Sequence, residues 1–261
     1  MPEESYRKQA ARAAYGWGRA QSWDDAIGLL RRAAEASEPD AARQLELVTQ
    51  APISELLDVP RVERLSTIAP VGACRGFAPP GFSEWLIGRA AERLVPASAN
   101  ADGEVAVRTA RDAAFAPQHR DLVLAIMQER AARLTHVPVE YHEPPNLISY
   151  EPGQEFSLHV DFIDPEVSAY AEELRVVGQR TATIVTYLNE DFEGAETVFP
   201  DAQVKFRGKT GDAIVFSNVR PDGSPDYNTS HAGLPPSRGR KWVLSQWMRS
   251  NPFQYRPEDL L

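Results

Sequence analysis

His159 and Asp161 lie two residues apart in Phe156-Ser157-Leu158-His159-Val160-Asp161. Alternate side chains of an extended strand share a face, so this imidazole and this carboxylate can converge on one ion. A third ligand must come from elsewhere, and the chain has five histidines: His119, His136, His142, His159 and His231. His119 and His136 fall in or beside a predicted helix, and His142 stands before a Pro-rich turn. His231 remains, in Asn228-Thr229-Ser230-His231-Ala232-Gly233, just ahead of the last long predicted strand. Two imidazoles and one carboxylate suit Fe(II) with three coordination positions left open. The same donors also suit zinc. An HxD pair alone is also what a solvated strand histidine beside a surface aspartate looks like.

The last strand narrows these readings. It runs Arg240-Lys241-Trp242-Val243-Leu244-Ser245-Gln246-Trp247, and Lys241 follows His231 by ten residues. A cation there can hold the far carboxylate of a diacid whose other end chelates the metal. Strand alternation puts Lys241, Val243, Ser245 and Trp247 on one face, with Trp242 and Leu244 packing on the other. The bland alternative for a strand lysine is an exposed, solubilising charge.

The elements that must position these groups follow from periodicity. Runs at 181–188, 204–207, 213–217 and 241–249 have the texture of strands, separated by Gly, Pro and Asp clusters. Trp23 to Ala34 carries apolar residues at spacings of three and four, with Ser22 as its N-cap. A second N-terminal helix restarts with Pro39 near its first turn. Stretches 82–94 and 120–134 also read as helices. The helical pair in 23–45 resembles one tetratricopeptide- or Sel1-like unit, and the competing reading is a helical cap. The expected fold class is α+β, a jelly roll braced by helices. The expected division is a helical N-terminal region, 1–66, and a main domain, 67–261. Asp164–Gly178 and Asp222–Asp226 read as loops at the mouth of the site.

Formal net charge is -9 and no basic stripe stands out, which argues against nucleic acid. The single cysteine, Cys74, excludes an internal disulfide and a Cys-rich zinc site. There is no apolar run of membrane-spanning length, and the first residues lack the apolar core of a signal peptide. The expectation is a cytoplasmic protein with no membrane partner.

From about Phe77 to Phe253 the chain resembles the catalytic domain of the prolyl 4-hydroxylase family. Arg108-Thr109-Ala110 resembles that family's Arg-Thr-Ser motif. Glu143 through Tyr150, then Gly153-Gln154, resembles the approach to its HxD, and Gln179-Arg180 opens the next strand. Thr186-Tyr187-Leu188-Asn189 and Glu193-Gly194-Ala195-Glu196-Thr197-Val198-Phe199-Pro200 resemble its YLN and EGGETxFP signatures. Lys209-Thr210-Gly211-Asp212-Ala213-Ile214-Val215-Phe216, His231-Ala232-Gly233 and Gly239-Arg240-Lys241-Trp242 complete the ordered set.

The resemblance implies a double-stranded β-helix using Fe(II), 2-oxoglutarate and O2, with ascorbate as a candidate reductant. It assigns His159, Asp161 and His231 to iron, and Lys241 to the distal carboxylate of 2-oxoglutarate. Tyr150 and Thr197 are its hydrogen-bonding neighbours, and Trp247 lines the cleft. Arg108, Glu143 and Arg180 match positions facing the substrate groove, against ordinary surface or salt-bridge duty. The implied reaction hydroxylates an unactivated C–H bond, with a prolyl residue of a peptide or protein as first candidate, and releases succinate and CO2. A free amino acid or small metabolite is the alternative substrate. Rival classes are a zinc hydrolase, which needs a glutamate base near the metal, and an idle barrel whose N-terminal helices recruit a protein partner. Two positions depart from the family pattern. Ala195 replaces a glycine, which matters only if that backbone needs positive φ. Ala110 replaces a serine whose hydroxyl could contact substrate.

Overall fold

The computed structural model describes residues 4–97 and 109–253. Four helices open it: α1 (Tyr6–Tyr15), α2 (Trp23–Glu35), α3 (Ala41–Val48) and the short α4 (Ile53–Leu56). Then come β1 (Val62–Arg64), β2 (Val71–Cys74), α5 (Phe82–Ala90), β3 (Val95–Pro96), β4 (Arg111–Ala114) and α6 (Leu122–Thr135). The site-bearing half holds β5 (Asn146–Tyr150), β6 (Phe156–His159), α7 (Ala171–Val177), β7 (Arg180–Tyr187), β8 (Glu193–Gly194), β9 (Thr197–Phe199) and β10 (Val204–Phe206). It ends with β11 (Ala213–Ser217), β12 (His231–Gly233), β13 (Pro236–Arg238) and β14 (Lys241–Arg249).

The strands form two main antiparallel sheets. The larger runs β1-β2-β11-β7-β14-β5-β4-β3, and the smaller runs β10-β9-β12-β6. Apolar side chains between them form one core cluster, with Ile148, Tyr187, Ile214, Phe216 and Val243 meeting Phe199, Val204 and Phe206. The opposite face of the large sheet forms a second cluster. There Leu147, Ile184, Trp242, Leu244 and Met248 pack with residues of α1, α2, α3, α5 and α6. Every residue of β14 is consequently buried. It lies inside the large sheet between β7 and β5, and alternation sends its odd-numbered side chains toward the site and its even-numbered ones toward the helices. This is the expected helix-braced jelly roll.

The local expectations hold with shifted ends. The Ser22 hydroxyl caps α2 by accepting from the Asp25 backbone N–H. The stretch 82–94 is not one helix, since α5 stops at Ala90 and a 3-10 turn, Ala91–Arg93, follows. The expected loop Asp164–Gly178 is a correction: it contains a 3-10 turn, Ser168–Tyr170, running into α7. Burial explains the misreading, because none of the α7 residues is buried and no apolar stripe marks the helix. Among the described residues, no helix is long and apolar enough to cross a membrane.

Candidate metal centre

His159 ends β6 and His231 opens β12, and the two residues are register partners across neighbouring strands. Pairing therefore brings His231 to His159, while Asp161 reaches the same point from a bend two residues past the end of β6. His159 Nε2 lies 3.6 Å from Asp161 Oδ1, and His231 Nε2 lies 3.8 Å from Asp161 Oδ2. One ligand atom from each residue falls within 4.8 Å of the other two. Both rings are oriented from behind. His159 Nδ1 bonds the Ser157 carbonyl at 2.7 Å, and His231 Nδ1 bonds the Thr229 carbonyl at 3.0 Å. A carbonyl only accepts, so each Nδ1 keeps the proton and each Nε2 lone pair faces the centre.

Asp161 is buried and held by Thr183, whose Oγ1 donates to Oδ2 at 2.8 Å. Asn218 Nδ2 in turn donates to Thr183 Oγ1 at 2.9 Å. Burial pushes the Asp161 carboxyl up, but His231, His159 and Arg180 outweigh it and hold it below the usual carboxylate range. Burial pushes the His231 imidazole down to about 4, so it is neutral at pH 7. An ionised carboxylate and a neutral imidazole are the ligating forms. Phe156 stacks on the His159 ring at 3.4 Å between centroids.

The three residues open into a cleft lined also by Tyr150, Phe156, Thr197, Lys241, Val243, Ser245 and Trp247. All four expected β14 residues thus face the site. Lys241 is only 2% exposed and is not a solubilising surface charge. Its Nζ donates to the Ala195 carbonyl at 2.8 Å and lies 5.4 and 4.8 Å from the Tyr150 and Tyr187 ring centroids. Burial lowers its pKa to about 7, partly offset by Glu196. Thr197 shares a 2.7 Å hydrogen bond with the Tyr187 hydroxyl, a residue the sequence reading left outside the site.

Ala195 has φ 56°, and Gly194 before it φ 70°. The backbone here does need positive φ, so the alanine is strained where glycine would be at ease. The conformation aims the Ala195 carbonyl at Lys241. Gly239 (φ 75°) turns the chain into β14, and a Cβ there would collide with the Asp191 carbonyl.

Glu143 and Arg180 come together at the site. Arg180 Nε and Nη2 donate to the two Glu143 oxygens at 2.6 and 3.0 Å, and the guanidinium lies 4.7 Å over the Trp247 ring. Arg249, which the sequence reading missed, also binds Glu143 and reaches Glu173 on α7. Burial raises the Glu143 carboxyl, but Arg180 and Arg249 bring it below its usual range. The Trp247 indole Nε1 is buried without a hydrogen-bond partner among the described residues. A buried unpaired N–H is costly, and a ligand acceptor in the cleft would satisfy it. Arg108 lies outside the described residues. Ala110 is 1% exposed and belongs to the cluster between the sheets. Among the described residues lining the cleft there is no glutamate to act as a zinc hydrolase's base.

The donor set therefore fits an Fe(II) ion, and the buried cation fits an anion in the same cleft. Comparison with known proteins agrees. Residues 145–249 match the 2OG-Fe(II) oxygenase superfamily. Probable prolyl 4-hydroxylase 3 of Arabidopsis thaliana is 30% identical over 159 residues, covering 54% of this chain and 54% of that protein. Prolyl 4-hydroxylase 13 of the same plant is 29% identical over 236 residues, covering 83% and 81%. The crystal structure of the viral collagen prolyl hydroxylase of Paramecium Bursaria Chlorella virus-1, in its 2OG complex, superposes with a TM-score of 0.53. Identity is 26%, over 68% of this chain and 94% of that one. The chain spans about half the length of several curated relatives it matches. With the triad and Lys241 inside the matched stretch, residues 145–249 carry a 2OG-Fe(II) oxygenase domain, and the chain is similar to prolyl 4-hydroxylases.

Proposed function

We propose that the protein is an Fe(II)- and 2-oxoglutarate-dependent dioxygenase that hydroxylates a prolyl residue in a peptide or protein. The observation that carries this reading is the pairing, in one cleft, of the His159–Asp161–His231 triad with the buried cation Lys241. His159, Asp161 and His231 would hold the iron. When bound, iron supplies the oxidising chemistry that uses O2 and 2-oxoglutarate to hydroxylate an unactivated C–H bond, releasing succinate and CO2.

The chain's own groups do the positioning. Lys241, kept in place by the Ala195 carbonyl, pairs with the far carboxylate of 2-oxoglutarate, with the Tyr150 and Thr197 hydroxyls beside it. Apolar walls from Ile148, Val185 and Val243 keep water away and strengthen that charge-assisted pair. Thr183 and the Ser157 and Thr229 carbonyls hold the ligands in orientation. Trp247 lines the substrate side of the cleft with its indole N–H available to a ligand acceptor, and Arg180, seated over the indole ring and held by Glu143 from behind, extends that wall beyond the cleft's edge. The prolyl assignment draws on relatives named as prolyl 4-hydroxylases. Succinate release with Fe(II) and 2-oxoglutarate, across proline-containing peptides and free amino acids, tests it. Turnover confined to free amino acids would replace the substrate assignment. No turnover and no 2-oxoglutarate binding would sink the enzyme reading.

A further inference from the structure

Helix α1 precedes the residues matched to the superfamily and packs on the helical face of the large sheet. A row of polar side chains, buried except for the half-buried Tyr15 at its outer end, nonetheless joins it to the substrate side of the cleft. Tyr15 Oη donates to Gln128 Oε1 on α6 at 2.8 Å. Gln128 Nε2 donates to Gln246 Oε1 on β14 at 3.3 Å. Gln246 Nε2 donates to the Glu143 carbonyl at 2.8 Å and to the Trp247 carbonyl at 3.2 Å. Gln128 is 1% exposed and Gln246 5%.

The order of donors along this row is forced. The Glu143 carbonyl only accepts, so Gln246 must turn its NH2 that way. Its oxygen then takes the NH2 of Gln128, and the Gln128 oxygen needs a proton from Tyr15. All the dipoles run in one direction, an arrangement in which successive hydrogen bonds strengthen one another. Removing the Tyr15 hydroxyl leaves a buried acceptor unpaired and loosens the row from its far end. Meanwhile Trp242, Leu244 and Met248, on the same face of β14, pack as plain apolar residues. Packing alone would be served equally by an apolar side chain at 246.

The near end of the row is the Glu143 segment. Glu143 N donates back to the Trp247 carbonyl at 3.0 Å, and its carboxylate holds Arg180 and Arg249. Gln246 therefore fixes the main chain at both Glu143 and Trp247, the residues that bracket Arg180.

We propose that Tyr15, Gln128 and Gln246 are positioning residues that set the Glu143–Arg180–Trp247 wall for the prolyl substrate. Helix α1 is thereby part of substrate recognition and not a stabilising cap alone. This inference rests on the proposed function, in which that wall meets the substrate. The test uses the full chain with Fe(II), 2-oxoglutarate and poly-L-proline as probe, on Tyr15→Phe, Gln246→Met and Glu143→Gln. Loss of one neutral hydrogen bond corresponds to about 3- to 10-fold. Tyr15→Phe and Gln246→Met should each raise KM for poly-L-proline by about that factor. The KM for 2-oxoglutarate and succinate release without peptide should stay at the parent values. The double variant should lose less than the product of the single losses, because both cut one row. Parent-like peptide KM in both variants, with Glu143→Gln raising it, overturns the inference and leaves the proposed function standing. A parallel loss of 2-oxoglutarate and peptide affinity assigns α1 to stability alone and also overturns it. Unchanged peptide KM in Glu143→Gln, or no poly-L-proline turnover by the parent, removes the substrate wall and the inference with it.

Discussion

Raising the pH from about 6 to about 9 should weaken 2-oxoglutarate binding by about 90-fold through Lys241 alone. Burial has brought its ammonium down from 10.5 to about 7. The direction follows from the charged form being the one disfavoured. In the empty cleft, folding carries a penalty for this group that grows as pH falls from 10.5 to about 7 and is full below that. At 1.36 kcal/mol per tenfold, the penalty is on the order of 5 kcal/mol. A dianion in the cleft needs the ammonium, so apparent affinity is full below about pH 7 and falls tenfold per pH unit well above it. Calorimetric titration of 2-oxoglutarate under nitrogen, with Mn(II) as a redox-inert stand-in, measures the profile directly. Lys241→Arg keeps its charge throughout and should flatten it. Lys241→Met should weaken binding at about pH 6 by on the order of 100- to 1000-fold, the cost of breaking a buried charge pair. A pH-independent affinity in the parent, or parent-like affinity in Lys241→Met, would refute the assignment of Lys241 to the far carboxylate.

Further outcomes follow from the same geometry. His159→Ala should abolish both metal binding and turnover, measured by metal analysis after dialysis and by succinate release. Thr183→Val removes the donor to Asp161 and should weaken metal affinity by roughly 10-fold or more, read by competition with a chelating dye. Ala195→Gly relieves a positive φ and should stabilise by about 1 kcal/mol, a rise of roughly 2–4 °C in melting temperature. A lower melting temperature would show that the alanine methyl matters more than the backbone strain. Arg249→Gln should raise peptide KM, because Glu143 then orients Arg180 without its second cation.

The parts of the site legible in the sequence were those set by strand alternation. His159 and Asp161 carry the spacing of two, although Asp161 sits in a bend just past β6, and Lys241, Val243, Ser245 and Trp247 follow the period of β14. Choosing His231 took elimination among five histidines, and the β6–β12 register supplies its physical reason. Groups brought in by distant pairing left no local signal. Thr183 and Asn218 look like ordinary strand and turn residues, and Arg249 looks like a strand-end charge. Ala195 could be flagged as a departure, but only the φ of 56° shows that the position penalises it. Helix α7 has the sequence texture of a loop because it buries none of its side chains. Gln128 and Gln246 were invisible for the opposite reason. Each sits in an apolar pattern that reads as core, and their roles appear only when α6 packs on β14.

The central claim is that the triad and Lys241 serve one coupled oxidation. Its most direct test is a single incubation of protein, Fe(II), 2-oxoglutarate, O2 and a proline-containing peptide, with succinate and peptide mass both quantified. The account predicts succinate and a peptide carrying one added oxygen atom in equal amounts, with both lost in His231→Ala. Metal-replete protein that forms neither product, or that cleaves peptides with zinc and no need for 2-oxoglutarate, would contradict it.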